Sequence, residues 1–124
     1  MHKSPFITLG ATLAFLAVAF GAFGAHGLKN SLSAEHLSIF HTAVDYQMWH
    51  SIGLILIGLF AQQNNARLLV KAGWLMFAGI IVFSGSLYAL SLTGIKVLGA
   101  ITPIGGVFFL IAWTLFAYAS YKSK

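Results

Sequence analysis

The chain contains no cysteine. Disulfides, thiol nucleophiles and cysteine-based zinc sites are therefore excluded, and the redox compartment leaves no mark. Carboxylates are almost as scarce, because Glu35 and Asp45 are the two acids among 124 residues. Charge of either sign is rare: Asp, Glu, Lys and Arg make up 7%, against roughly 25% in an ordinary soluble domain. What replaces it is apolar. Hydrophobic residues account for 59% of the chain. A soluble chain of this length cannot hide that much apolar surface in one core, so the solvent for it must be lipid. A membrane-spanning helix needs ~20 apolar residues. Four spans with short connections use the whole length as a single transmembrane domain.

The net charge of +5 invites a nucleic-acid reading. The basic residues stand at the ends of apolar runs, not on one face, so no nucleic-acid partner is expected. Their placement reads as membrane topology. Lys3, Arg67, Lys71, Lys122 and Lys124 fall on one side of a four-span protein, and Lys29 and Lys96 on the other. By the positive-inside rule both termini are expected in the cytoplasm.

The spans are expected at about 6–26, 43–61, 67–92 and 98–120, with an amphipathic helical segment at 34–42 before the second. Phe6 to Ala25 also resembles a secretory signal, with a positive start and small residues at Ala22 and Gly24. It is read as helix 1. Gly10, Ala14, Ala17, Gly21 and Gly24 recur in it at spacings of four and three. That pattern puts small residues on one stripe, a seam where another helix backbone can approach. Gly27 is expected to end the helix.

Ser33 has the character of an N-cap for helix 2, and Glu35 suits the positive end of its dipole. Leu32 and Leu37 have the spacing of a hydrophobic staple. The helix runs to about Ala61, ~40 Å in all, which exceeds the hydrocarbon thickness. Its first part must project from the membrane, lie on its surface, or break from the rest near Thr42. Gln62 to Asn65 reads as a polar turn, and helix 3 follows from Ala66 to about Leu92. Gly94 is a natural stop. Thr102 and Pro103 read as N-cap and N1 of helix 4, with Lys96 to Ile101 a loop or shallow dip. A start at Val97 instead would make Pro103 a kink.

Four stretches carry a resemblance. They are Gly21-Ala-Phe-Gly-Ala-His-Gly27, Thr42-Ala-Val-Asp-Tyr-Gln-Met-Trp-His50, Phe83-Ser-Gly-Ser-Leu-Tyr88 and Thr102-Pro-Ile-Gly-Gly106. In this order they resemble the YgdD family, whose animal relatives are called transmembrane protein 256. The resemblance covers essentially the whole chain. It implies a small four-helix protein of the bacterial inner membrane, classed as a domain of unknown function, and it implies no catalytic residue. The matching positions that carry over are His26, Asp45, Tyr46, Gln47, His50, Ser84, Ser86, Tyr88, Thr102 and Pro103.

With the topology above, His26, Asp45, Tyr46, Gln47, His50, Ser84, Ser86, Tyr88 and Thr102 belong to the outer half of the bundle. The inner half, represented by Leu54 to Phe60 and Phe108 to Phe116, is almost purely apolar. Ionisable residues inside a membrane tend to face the bundle interior and mark function. The simplest reading is interhelical hydrogen bonding that only holds the helices together. A metal site built on His36, His41, Asp45 and His50 is a second reading, but His50 points away from the others. A haem between His26 and His50 is a third. A proton, quinone or small-molecule site lined by Tyr46, Trp49 and Tyr88 is a fourth. No catalytic triad order and no phosphate-cradling loop appears.

The expectation is an all-α, integral membrane four-helix bundle with no enzymatic residue and no cofactor. Its partners are membrane lipid and other membrane proteins or further copies of itself. The alternative is a membrane protein that binds a small molecule, quinone, lipid or proton at the polar cluster. On a regular helix Asp45 and His50 lie ~140° apart, so separate partners are expected: His26 for Asp45, and Ser84, Ser86 or Tyr88 for His50.

Overall fold

The computed structural model describes residues 4–64 and 67–123. Lys3, Asn65, Ala66 and Lys124 lie outside them, so two of the seven basic residues and the join between helices 2 and 3 carry no structural account. Among the described residues the secondary structure is entirely helical. Helix α1 is Phe6–His26, α2 is Ala34–Ala61, α3 is Arg67–Thr93 and α4 is Thr102–Lys122, preceded by a 3₁₀ turn at Lys96–Ala100. Each is long and apolar enough to cross a membrane. The molecule is a four-helix membrane bundle.

The ends follow local chemistry. Ser33 sits in extended backbone, and its hydroxyl accepts from the His36 N–H at 3.1 Å. That satisfies one of the free N–H groups at the start of α2. Gly94 closes α3 in the left-handed region (φ 74°), with its N–H on the Leu90 carbonyl at 2.8 Å. Gly27 also ends its helix, bonded to the Phe23 carbonyl, but in right-handed geometry. Two expectations need correcting. Helix α2 runs unbroken through Thr42 for 28 residues, so the proposed break does not occur. Thr102 does not cap α4. Its hydroxyl is engaged by Ser86 instead, at 2.6 Å.

Helix α1 packs chiefly on α2, and α4 chiefly on α3, with α2 and α3 joining the two pairs. Gly10, Ala17 and Gly24 are buried, at heptad spacing, and Ala14 and Gly21 are partly covered beside them. A Cβ at Gly10 would stand 2.7 Å from the Ser51 carbonyl oxygen and 3.0 Å from the Ile55 nitrogen. The small residues thus let α1 lie against the α2 backbone within the chain.

The apolar core fills the end where α1 begins. Phe6, Leu54, Ile57, Ala72, Met76, Ile80, Phe109 and Ala112 form it, with Ala61, Leu69 and Ala119 continuing it. The outside is apolar too, as lipid requires: Phe15 and Leu110 are each 70% exposed.

Helix α3 is not regular throughout. Ile80–Ser84 is a π turn. Around it the buried positions Met76, Ile80 and Ser84 stand four apart twice in succession. The extra residue in the turn shifts the register of the face that follows it, and Ser84 and Leu87 are buried beyond it. Gly105 of α4 packs directly on this turn, since a Cβ there would stand 2.5 Å from the Phe83 nitrogen.

Candidate functional site

The buried stripe of α2 is Phe40, Ala43, Gln47, His50, Leu54, Ile57 and Ala61. Spacings of three and four place all seven on one face. Gln47 and His50 belong to it, and Asp45 does not. That single register decides the fate of each candidate residue.

Gln47, 3% exposed, is the centre. Its Nε2 donates to the Leu13 carbonyl of α1 at 2.7 Å, and its Oε1 accepts from the Tyr88 hydroxyl of α3 at 2.6 Å. The Leu13 carbonyl can only accept, so the orientation of the amide is fixed. One side chain therefore ties three helices. Ser84 donates to the Ala43 carbonyl at 2.7 Å, joining the π turn to α2. The Ser86 and Thr102 hydroxyls pair and join α3 to α4. Tyr88 is packed edge-on against Phe20 of α1 and tilted against Phe40 of α2, each with centroids 5.2 Å apart. Among the described residues no buried side-chain nitrogen or oxygen lacks a partner.

The network reaches toward the middle of the helices. Gln47 stands at the middle of α2, and Leu13 lies nearer the Phe6 end of α1 than the His26 end.

Asp45 and His26 are both exposed, and neither makes a hydrogen bond or ion pair among the described residues. The expected pairing of the two is not formed. The physical reason is register: Asp45 lies off the buried stripe, where its carboxylate points outward. His50 is buried but does not reach Ser84, Ser86 or Tyr88. Its Nδ1 bonds to the Tyr46 carbonyl at 2.7 Å. Its ring lies flat on Phe109 of α4, centroids 3.5 Å apart and planes 13° apart, with Tyr46 parallel at 5.7 Å. Tyr46 itself stacks on Phe83 at 4.3 Å.

No three histidine or acidic side chains come together among the described residues to hold a metal ion. His36, His41, Asp45 and His50 are not brought together. His26 at an exposed helix end does not face His50 against α4, so the haem arrangement is not assembled either.

The profile of a family described as "Protein of unknown function (DUF423)" matches residues 20–106. The chain belongs to the DUF423 family. This DUF423 protein is similar over most of its length to bacterial membrane proteins. It is 51% identical over 118 residues to the UPF0382 membrane protein YwdK of Bacillus subtilis, covering 94% of this chain and 96% of that one. It is 52% identical over 117 residues to a UPF0382 membrane protein of Staphylococcus epidermidis, covering 94% and 95%. No solved structure matches it. With four apolar helices and such relatives, the DUF423 chain is a multi-pass membrane protein.

As an uncharged amide, Gln47 does not stand out by chemistry from Asp45, Tyr46 and His50 around it. The signal that singles it out was present: it lies on the 3–4 stripe that Asp45 misses.

Proposed function

We propose that this protein is an accessory membrane component whose polar cluster is a structural clasp, and that it acts by packing against other membrane proteins or further copies of itself. The observation that carries this is the closure of the cluster: both ends of the Gln47 amide are bonded, to α1 and to α3. Groups that saturate one another offer nothing to a substrate and hold helices in place. The outer surface supplies the packing face, with Trp49 69% and Leu110 70% exposed. The five-to-two distribution of basic residues supports cytoplasmic termini.

The test removes the polar atoms while keeping the shape. Tagged wild type and Gln47→Met/Tyr88→Phe would be purified from their own membranes in mild detergent, and the accompanying proteins and the oligomeric state measured. Both should keep the same partners or the same oligomer. A folded variant that loses them would show that the cluster does more than clasp. A wild type that is monomeric and carries nothing would overturn the packing role.

A further inference from the structure

His50 sits in a place the clasp does not use. Between α2 and α4 runs a groove of about 380 Å³, lined by Tyr46, His50, Phe83, Val107, Leu110 and Trp113 with Pro103, Gly106 and Phe109. Val107 and Leu110 are 51% and 70% exposed, so the groove opens toward lipid. His50 is the eleventh residue back from the Ala61 end of α2, or ~17 Å along the axis. That is close to the centre of a hydrocarbon layer ~30 Å thick. An occupant at this depth must come from the membrane.

The imidazole specifies the occupant's polar group. A carbonyl oxygen only accepts, so the bond to the Tyr46 carbonyl puts the proton on Nδ1. In the neutral ring Nε2 is then an acceptor. It has no hydrogen-bond partner among the described residues. Every buried side-chain nitrogen and oxygen among those residues does have one, so Nε2 is reachable from outside. Phe109 lies flat against the imidazole, with Tyr46 parallel to it, so stacking and the Nδ1 bond together hold the ring in this plane. The groove thus presents His50 Nε2 as a hydrogen-bond acceptor in a largely aromatic wall, to which Tyr46 and Trp113 bring a hydroxyl and an indole N–H.

We infer that this groove binds a membrane-dissolved, hydroxylated aromatic ring, the chemical class of a quinol, whose hydroxyl donates to His50 Nε2. A ketone-only ring lacks the donor and leaves Nε2 unpaired, so the reduced form is the one selected. The aromatic walls favour a flat ring over an acyl chain. Most of the occupant's contact is apolar, and the bond to His50 orients it, as a few placed polar groups do in other small-molecule sites.

Solid-state ¹⁵N NMR of histidine-labelled protein in phosphatidylcholine bilayers reads Nε2 directly. The His50 signal is assigned by its loss in His50→Gln, with His50→Leu as the second variant should the first fail to fold. Tetramethylhydroquinone, kept reduced, should move the Nε2 signal saturably, while Nδ1 remains protonated. Tetramethylbenzoquinone should need at least ~10-fold more to produce any shift, the ratio that a hydrogen bond of about 1.4 kcal/mol supplies. No movement with the hydroquinone, or equal response to both rings, would overturn the inference. So would a ring carrying protons on both nitrogens. A shift produced by dioleoylglycerol at the same concentration would assign the groove to a lipid alcohol and overturn the aromatic occupant.

Discussion

At the residue scale, Gln47 illustrates why an amide suits the middle of a membrane bundle. It carries a donor and an acceptor without a charge to desolvate. It meets a backbone carbonyl on one side and a phenol on the other. Gln47→Leu should leave the Tyr88 hydroxyl without its acceptor and cost about 1–2 kcal/mol, within the range for interhelical bonds in membranes. Tyr88→Phe should cost a similar amount. The double variant Gln47→Leu/Tyr88→Phe should cost clearly less than the two single changes added together, because the second change has no remaining bond to break. Asp45→Asn belongs in the same series as a contrast. With an exposed carboxylate and no partner among the described residues, it should shift stability by less than ~0.5 kcal/mol. Thermal or denaturant unfolding in one detergent measures all of them. An additive double variant would remove Gln47 from the centre of the clasp. A loss of 1 kcal/mol or more at Asp45 would show a partner for it. The sequence held the means to rank these two residues. Asp45 drew attention as the rare charge, yet the stripe Phe40, Ala43, Gln47, His50, Leu54 passes it by. Burial follows register, and chemical rarity does not alter it.

At the scale of the element, the helices were legible and their irregularities were not. Ser33 and Gly94 act through their own backbone and side chain, so local sequence specified them. The π turn at Ile80–Ser84 and the diversion of Thr102 to Ser86 depend on what lies opposite. No local pattern in Ile80-Ile-Val-Phe-Ser84 announces a widened turn. Gly105 of α4 packs directly against it, a contact that local sequence does not reveal. Glycine spacing likewise identified a seam, and only the structure grades its members. At Gly21 an added Cβ would meet a single side-chain carbon of Val44 at 3.3 Å. At Gly10 it would meet backbone atoms of α2, which cannot rotate away. Gly85 is the opposite case, helical in backbone with nothing within 4 Å of an added Cβ. Gly10→Ala should therefore destabilise by about 1–3 kcal/mol through overpacking. Gly85→Ala should stabilise by about 0.5–1 kcal/mol, because alanine loses less backbone freedom in a helix. Unfolding midpoints of the two variants should move in opposite directions. A Gly10→Ala variant as stable as wild type, or more so, would contradict the close approach of α1 to α2.

At the scale of the whole molecule, the lack of native cysteine becomes an experimental advantage. Any cysteine introduced is the single thiol in the chain. The four spans put Asn64, after α2, and Lys96, before α4, at opposite ends of the bundle. Arg67, Lys71 and Lys122 stand at the Asn64 end with the helix termini that carry them, and Lys29 and Lys96 at the other. Retaining positive charge on the cytoplasmic side is a matter of insertion, since basic side chains resist translocation. It does not depend on the final packing, so the same distribution orients the bundle whatever its function. Under this orientation the His36 end of α2 and the Lys96 turn face outward. The Asn64 turn faces the cytoplasm. An impermeant maleimide applied to intact cells should then label Lys96→Cys and leave Asn64→Cys unlabelled until the membrane is opened. The reverse pattern would turn the bundle over and place Asp45 near the cytoplasmic surface. His50 would stay where it is in either case, ~17 Å from the Ala61 end of α2 and near the bilayer centre. The groove beside it would still open onto lipid, so the orientation and the proposed occupant can fail independently of each other.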